Sequence, residues 1–204
     1  MSTVYIVDDD AAVRTSLEYL IASVELTAKG FETAADFLRG FNPNDAACIL
    51  LDVRMPGISG LELQTKLAEL NCLAPIVFLT GHADVAMAVR AMKNGAFDFI
   101  EKPYNDQVLL DCIHRALAHN SRQRDEESRR SALLERIETL SAREREILGH
   151  IAAGLANKEI ATQLGLSEKT IEAHRARLYQ KLEANNVATL VRIAIAAEQA
   201  TAKG

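Results

Sequence analysis

Residues 48–60 read CILLDVRMPGISG, and this stretch decides the fold. Cys48-Ile49-Leu50-Leu51 is an unbroken apolar run that stops on a single carboxylate, Asp52. A strand apolar at every position suits a sheet covered on both faces, as parallel sheets are. Met55-Pro56-Gly57 is turn chemistry. Ser59 with Glu62 has the capping-box spacing that opens a helix. Three other segments repeat the pattern of an apolar run with a polar tip: Val4-Tyr5-Ile6-Val7-Asp8-Asp9, Ile76-Val77-Phe78-Leu79-Thr80 and Phe97-Asp98-Phe99-Ile100-Glu101-Lys102-Pro103. If the four runs are parallel strands, their tips gather at one edge of one sheet.

Outward from these runs, residues 1–118 alternate strand and helix patterns. Strands are expected near 4–8, 27–30, 47–52, 75–80 and 97–101, with helices near 12–24, 33–40, 60–70, 84–94 and 105–119. This βα alternation predicts an α/β fold, a doubly wound five-stranded parallel sheet with right-handed crossovers. Ligands of such sheets bind beyond the carboxyl ends of the strands, where the strand order reverses.

The tips themselves suggest chemistry. Asp8, Asp9 and Asp52 would repel one another, and a divalent cation is their natural counter-charge. Oxygen-only ligands select Mg²⁺ or a similar hard ion. Thr80 and Lys102 offer a hydroxyl and an ammonium to the oxygens of a phosphoryl group. Asp52 would then be the nucleophile, forming an acyl phosphate. Singly, each such residue is ordinarily a turn, a cap or a solvated charge. The reading rests on their coincidence at four strand tips.

The chain has 204 residues, 49% hydrophobic and 25% charged, an ordinary globular composition for one or two domains. No apolar stretch reaches transmembrane length. Three aspartates by residue 10 argue against a secretory signal, so a cytoplasmic protein without membrane attachment is expected. Cys48, Cys72 and Cys112 fit neither a disulfide framework nor a zinc pattern and are read as small apolar residues. The net charge of −5 is uneven: −7 over residues 1–118, zero over 119–138 and +2 over 139–204. The first part is acidic enough to repel nucleic acid, while the last tolerates it.

Residues 119–138, HNSRQRDEESRRSALLERIE, read as a charged linker, either a solvated helix or flexible, with the lack of Gly and Pro favouring partial helix. Residues 139–204 show helical periodicity only. Ser141 and Glu144 repeat the capping-box spacing, and four helices are expected: to about Ala153, Asn157–Leu164, Glu168 to about Leu182, and Val187 to about Gln199. The second and third, joined by Gly165-Leu166-Ser167, have helix-turn-helix spacing. In such a motif the second helix lies in the major groove. A helical hairpin with a solvated charged face has the same spacing.

The strings VYIVDDD, LLDVRMPGISGLEL, VFLTGHADV and GAFDFIEKP resemble the receiver domain of bacterial two-component response regulators of the FixJ type, a flavodoxin-like fold. That resemblance implies Asp52 as phosphoacceptor, Asp9 as direct Mg²⁺ ligand, Asp8 as a nearby or water-mediated one, and the Arg54 carbonyl as another. It implies that Thr80 and Lys102 contact the phosphoryl group, that Phe99 turns inward when Thr80 moves, and that the Lys102–Pro103 bond is cis. His82 on the following loop is a solvated histidine or a tuner of acyl-phosphate hydrolysis. Ala83 and Ala86 stand where the family often has Gly and Pro.

The string LSAREREILGHIAAGLANKEIATQLGLSEKTIEAHRARLYQKL resembles the LuxR/NarL-type DNA-binding domain. It implies backbone-positioning contacts from Lys158, Lys169, Thr170, His174 and Lys181, groove-facing positions at Glu172, Ala173 and Ala176, and either role for Arg177. Ile160, Ala161, Leu164, Leu166, Ile171 and Leu178 fit the packing pattern between the two helices. Val187, Leu190, Val191 and Ala194 are either the family's dimer surface or a core stripe.

Together the two resemblances imply a transcriptional response regulator. A histidine kinase would load Asp52, phosphorylation would favour a homodimer, and the dimer would bind double-stranded operator DNA. Such a chain catalyses only its own phosphorylation and dephosphorylation. The alternative is a Mg²⁺-dependent aspartyl-phosphate phosphatase or phosphotransferase, which needs a second acid–base carboxylate and a substrate cap that the chain does not show. A constitutive DNA binder that no longer switches is a third reading.

Overall fold

A computed structural model describes residues 3–81 and 85–201. Five strands and nine helices are present among them: β1 (Thr3–Val7), α1 (Ala11–Ala22), β2 (Thr27–Phe31), α2 (Ala34–Gly40), β3 (Ala46–Asp52), α3 (Gly60–Glu69), β4 (Ile76–Thr80), α4 (Val85–Lys93), β5 (Asp98–Glu101), α5 (Asp106–Glu138), α6 (Ala142–Ala152), α7 (Asn157–Leu164), α8 (Glu168–Lys181) and α9 (Val187–Thr201). The chain divides into two compact units, residues 1–125 and 126–204.

In the first unit all strand pairs are parallel and the order is β2-β1-β3-β4-β5. The order reverses at β1, which places the tips of β1 and β3 side by side. Alternation along the central strands divides the core in two. Tyr5, Val7, Ile49, Leu51 and Phe78 face a layer containing Phe37, Leu63, Leu67 and Ala91, from α2, α3 and α4. Val4, Ile6, Leu50, Val77 and Leu79 face Leu17, Ile21, Leu109 and Ile113, from α1 and α5. Both faces are covered, so β3 is buried at all seven positions. This is why its sequence reads as apolar throughout.

Caps set the helix starts. Ser59 and Glu62 form a complete capping box at α3, as Ser141 and Glu144 do at α6. Each cap typically contributes about 1 kcal/mol. Asp10 caps α1 by accepting from the Ala12 and Val13 amides. In the second unit Leu140, Ile147, Ile151, Ile160, Ile171, Leu178, Leu190 and Ala194 form one core. Gly165 closes α7 in the left-handed conformation (φ 65°), which glycine adopts at no steric cost.

The sharpest departure from expectation is α5. The helix does not end near residue 119 but runs to Glu138, taking in the whole charged segment. Its polar middle is short of apolar residues, and an isolated helix of that kind is marginal in water. Tertiary contacts hold both ends. Asn120 is buried and donates to the Ala46 carbonyl (3.1 Å). Arg124 donates to the carbonyls of Asn44 (2.8 Å), Ala46 (2.8 Å) and Pro43. Further on, Leu133 and Ile137 pack on the core of the second unit. Among the described residues no helix is long and apolar enough to cross a membrane.

Candidate phosphoacceptor and nucleic-acid sites

The carboxyl edge of the sheet brings together Asp8 after β1, Asp52 ending β3, Thr80 ending β4 and Lys102 after β5. Asp8, Asp52 and Thr80 are all at least nine-tenths buried. The Lys102 ammonium bridges the two carboxylates, 2.6 Å from Asp8 Oδ2 and 3.4 Å from Asp52 Oδ1. The Lys102 amide donates to the Thr80 carbonyl (2.8 Å), which ties the two tips together. The Lys102–Pro103 peptide is cis, and the Pro103 ring is exposed. Asp52 Oδ2 accepts from the Arg54 amide (3.1 Å), and the Arg54 side chain is exposed. Arg14 of α1 donates to the Asp8 carbonyl (2.7 Å).

Burial pushes the Asp52 carboxyl above its ordinary pKa, and the nearby Lys102 charge only partly opposes this. Burial pulls the Lys102 ammonium down, but the hydrogen bond and charge of Asp8, followed by the charge of Asp52, outweigh it and hold Lys102 above its usual range. The two shifts are consistent because the ammonium sits closer to Asp8. Asp52 is therefore a buried carboxylate with incomplete compensation, facing the open end of the sheet.

The predicted metal ligands assemble only in part. Asp8 and Asp52 come together, but Asp9 is exposed. Among the described residues no three acidic, His or Cys side chains lie close enough to hold an ion. The expected crowd of three carboxylates is thus a pair bridged by a lysine, which supplies the positive charge that crowding demands. Phe99 is half-buried on β5, its ring centroid 6.0 Å from that of Phe78. His82 and Ala83 lie outside the described residues.

In the second unit α8 presents two faces. Ile171 and Leu178 are fully buried, and Ile160, Ala161, Leu164 and Leu166 join them in the core between α7 and α8. Lys169, Glu172, Ala173, Ala176 and Arg177 are all exposed and recur at helical spacing along the other face. Lys158 is exposed on α7. Thr170 is half-buried, and its hydroxyl lies 2.8 Å from Ser167 Oγ at the helix cap. His174 is also half-buried, with Nδ1 in the interior and without a hydrogen-bond partner, so only its other nitrogen is available for a contact.

Lys181 is exposed and has partners inside the unit. Its ammonium is held by buried Glu144 (2.7 Å) and by the Thr139 carbonyl (3.2 Å). Glu144 sits at the start of α6 and is 3% exposed. Lys181 therefore ties the end of α8 to the start of α6. Leu190 and Ala194 are core residues, whereas Val187 is 46% exposed. The proposed stripe on α9 is thus split between core and surface.

Sequence reasoning missed Arg14, Gln64, Asn120, Arg124 and Arg143. Arg143 of α6 donates to the Leu164 carbonyl (2.7 Å) at the end of α7. Gln64 alone left a readable signal, since it is a polar residue at a core position of α3, beside Gly60, Leu63 and Leu67.

Comparison with known proteins agrees with this geometry. Residues 4–114 match the family model of the response regulator receiver domain, and residues 138–194 that of bacterial regulatory proteins of the luxR family. The chain belongs to the response regulator family. It is 47% identical to the transcriptional regulatory protein TdiR of Thauera aromatica over 89% of this chain and 80% of that one. It is 44% identical to the transcriptional regulatory protein FixJ of Azorhizobium caulinodans over 98% and 94% of the two chains. Among solved structures, the response regulator StyR superposes with a TM-score of 0.85 at 40% identity, covering 94% of this chain and 97% of that one. This response regulator joins a receiver to a LuxR-type DNA-binding domain. The two domains account for both compact units, and the phosphatase alternative is not favoured.

Proposed function

We propose that Asp52 is the phosphoacceptor of a phosphorylation-dependent transcriptional regulator, with residues 1–118 as receiver, 119–138 as linker and 139–204 as DNA-binding domain. One observation carries this reading: Lys102 reaches from the tip of β5 across the sheet edge to touch both Asp8 and Asp52. The phosphoryl donor is a histidine kinase. The phosphorus–nitrogen bond of its phosphohistidine breaks as an Asp52 carboxylate oxygen forms the new phosphorus–oxygen bond, leaving an acyl phosphate and a free imidazole. Lys102 then pairs with the phosphoryl oxygens. Thr80 offers its hydroxyl from the next tip, and Phe99 follows the space that Thr80 vacates.

Asp8, Asp9, Asp52 and the Arg54 carbonyl offer only oxygen, the chemistry a hard divalent ion selects, and would hold it once Asp9 joins the Asp8–Asp52 pair. Mg²⁺, when bound, neutralises charge on the transferring group. The protein's own residues position the nucleophile and hold Lys102 charged.

Phosphorylation favours a homodimer, which presents two copies of α8 to a two-fold-related duplex site. On α8, Lys169 and Thr170 sit toward the backbone, Glu172, Ala173 and Ala176 toward base edges, and Arg177 serves either. Lys158, His174 and Lys181 add backbone contacts.

The test is incorporation of label from acetyl phosphate in the presence of Mg²⁺. The wild-type chain becomes labelled and Asp52→Asn does not; undiminished labelling of the variant removes the assignment. Electrophoretic mobility of an operator selected with the phosphorylated protein then reads the second half, with tighter binding expected after labelling.

A further inference from the structure

Gln64 is a buried polar side chain for which neither the phosphoacceptor site nor the core has an evident use. It lies on the core face of α3 and is 2% exposed. Its amide nitrogen donates twice, to the Ala91 carbonyl (3.1 Å) and to the Asn94 carbonyl (3.2 Å). Its amide oxygen is buried and has no partner. A buried unpaired acceptor is costly, and such groups persist where something else depends on them.

What depends on it is the end of α4. Few apolar side chains anchor this helix: Ala91 is fully buried and Met87 packs on the core, while Val85, Val89 and Met92 are 81%, 45% and 45% exposed. Its carboxyl end is held firmly. The Ala96 amide donates to Ala91 (3.0 Å) and the Gly95 amide to Met92 (3.0 Å), with Gly95 at φ 88°. That is the Schellman pattern of a closed helix terminus. Gln64 adds two bonds from a different helix to the same terminus.

The start of α3, one turn before Gln64, is fixed to the backbone at the end of the phosphoacceptor strand. The Gly60 amide donates to the Val53 carbonyl (3.0 Å), and any Cβ at Gly60 would overlap the Asp52 carbonyl. Gly60 and Gln64 are four residues apart, about one turn of helix. One turn of α3 thus connects the backbone of Asp52 to the carboxyl end of α4.

We infer that Gln64 is a positioning residue that pins the carboxyl end of α4 to the backbone frame of Asp52. Movement of Thr80 at the β4 tip then tilts α4 about that pin and does not unravel it. The inference rests on the proposed switching role of Asp52 and Thr80, and it deepens that reading by locating the fixed end of the lever.

The experiment compares the full-length chain with Gln64→Met, which keeps the volume and removes both donors and the orphan acceptor. Thermal unfolding first establishes that the variant folds. Hydrogen exchange is then measured without any phosphodonor. The amides of residues 89–96 should exchange at least tenfold faster in the variant, with those of β1 and β3 unchanged. Unchanged exchange there overturns the pin, whatever becomes of Asp52. With acetyl phosphate and Mg²⁺, the variant should label at the wild-type rate, while the label-induced shift in dimer affinity shrinks at least threefold. A full dimer response in labelled Gln64→Met also overturns it. Gln64→Leu serves as the second variant if the methionine protein fails to fold. Absence of label in the wild-type chain would instead count against the phosphoacceptor reading, and the exchange comparison still decides the pin.

Discussion

Asp52 carries its negative charge at a cost to folding. It is 8% exposed, and the ammonium that faces it is closer to Asp8. A carboxyl whose folded pKa lies above its ordinary value favours the protonated form in the folded state, so its ionised form destabilises the fold. Asp52→Asn should therefore raise the thermal midpoint of the receiver at neutral pH. The gain should fade as pH falls through the raised pKa toward the ordinary value near 3.8, which a melting series across pH would record. Glu144 has the opposite sign. The Lys181 hydrogen bond, followed by the Ser141 amide, holds its carboxyl below the usual range. Its contribution is present above the ordinary glutamate pKa and lost as pH drops through the lowered one. Lys181→Met should cost about 2 kcal/mol, the worth of a hydrogen bond to a charged group, in denaturant unfolding of the second unit. Lys169→Ala should instead leave stability unchanged and reduce the salt slope of operator binding by about one. Equal salt slopes for Lys169→Ala and wild type would remove Lys169 from the contact surface.

At the scale of elements, α3 and α5 show how tertiary contact overrides local pattern. The start of α3 follows from Ser59 and Glu62 and was readable in advance. Its close approach to Asp52 was not, because a glycine after a capping serine has no distinctive local signature. Gly60→Ala should destabilise the receiver by about 3 kcal/mol, since overpacking against backbone cannot be relieved by a rotamer change. A calorimetric scan would show it. For α5, charge balance in residues 119–138 suggested a linker of uncertain order. Helix propensity left the question open, and contacts from Asn120 and Arg124 at one end and from Leu133 and Ile137 at the other decided it. Arg124→Ala should speed amide exchange over residues 119–126 while leaving α1 and β1 protected.

For the molecule as a whole, the compact receiver unit extends past the point where apolar periodicity fades. A chain cut after Asp125 keeps Asn120 and Arg124 on the loop before β3, and it should melt several degrees above one cut after Ala118. Equal midpoints would show that the two side chains contribute nothing to the unit. The amino-acid sequence alone determined the alternation of strand and helix, the four polar strand tips and the buried face of α8, because hydrophobic period and caps act over a few neighbouring residues. The tertiary structure alone decided which partner each of these cations takes: Lys102 finds Asp8 across 94 positions, Lys181 finds Glu144 across 37, and Arg124 finds Ala46 across 78. A cation is drawn to whichever carboxylate or carbonyl the folded backbone delivers within about 3 Å, and separation along the chain carries no record of that delivery.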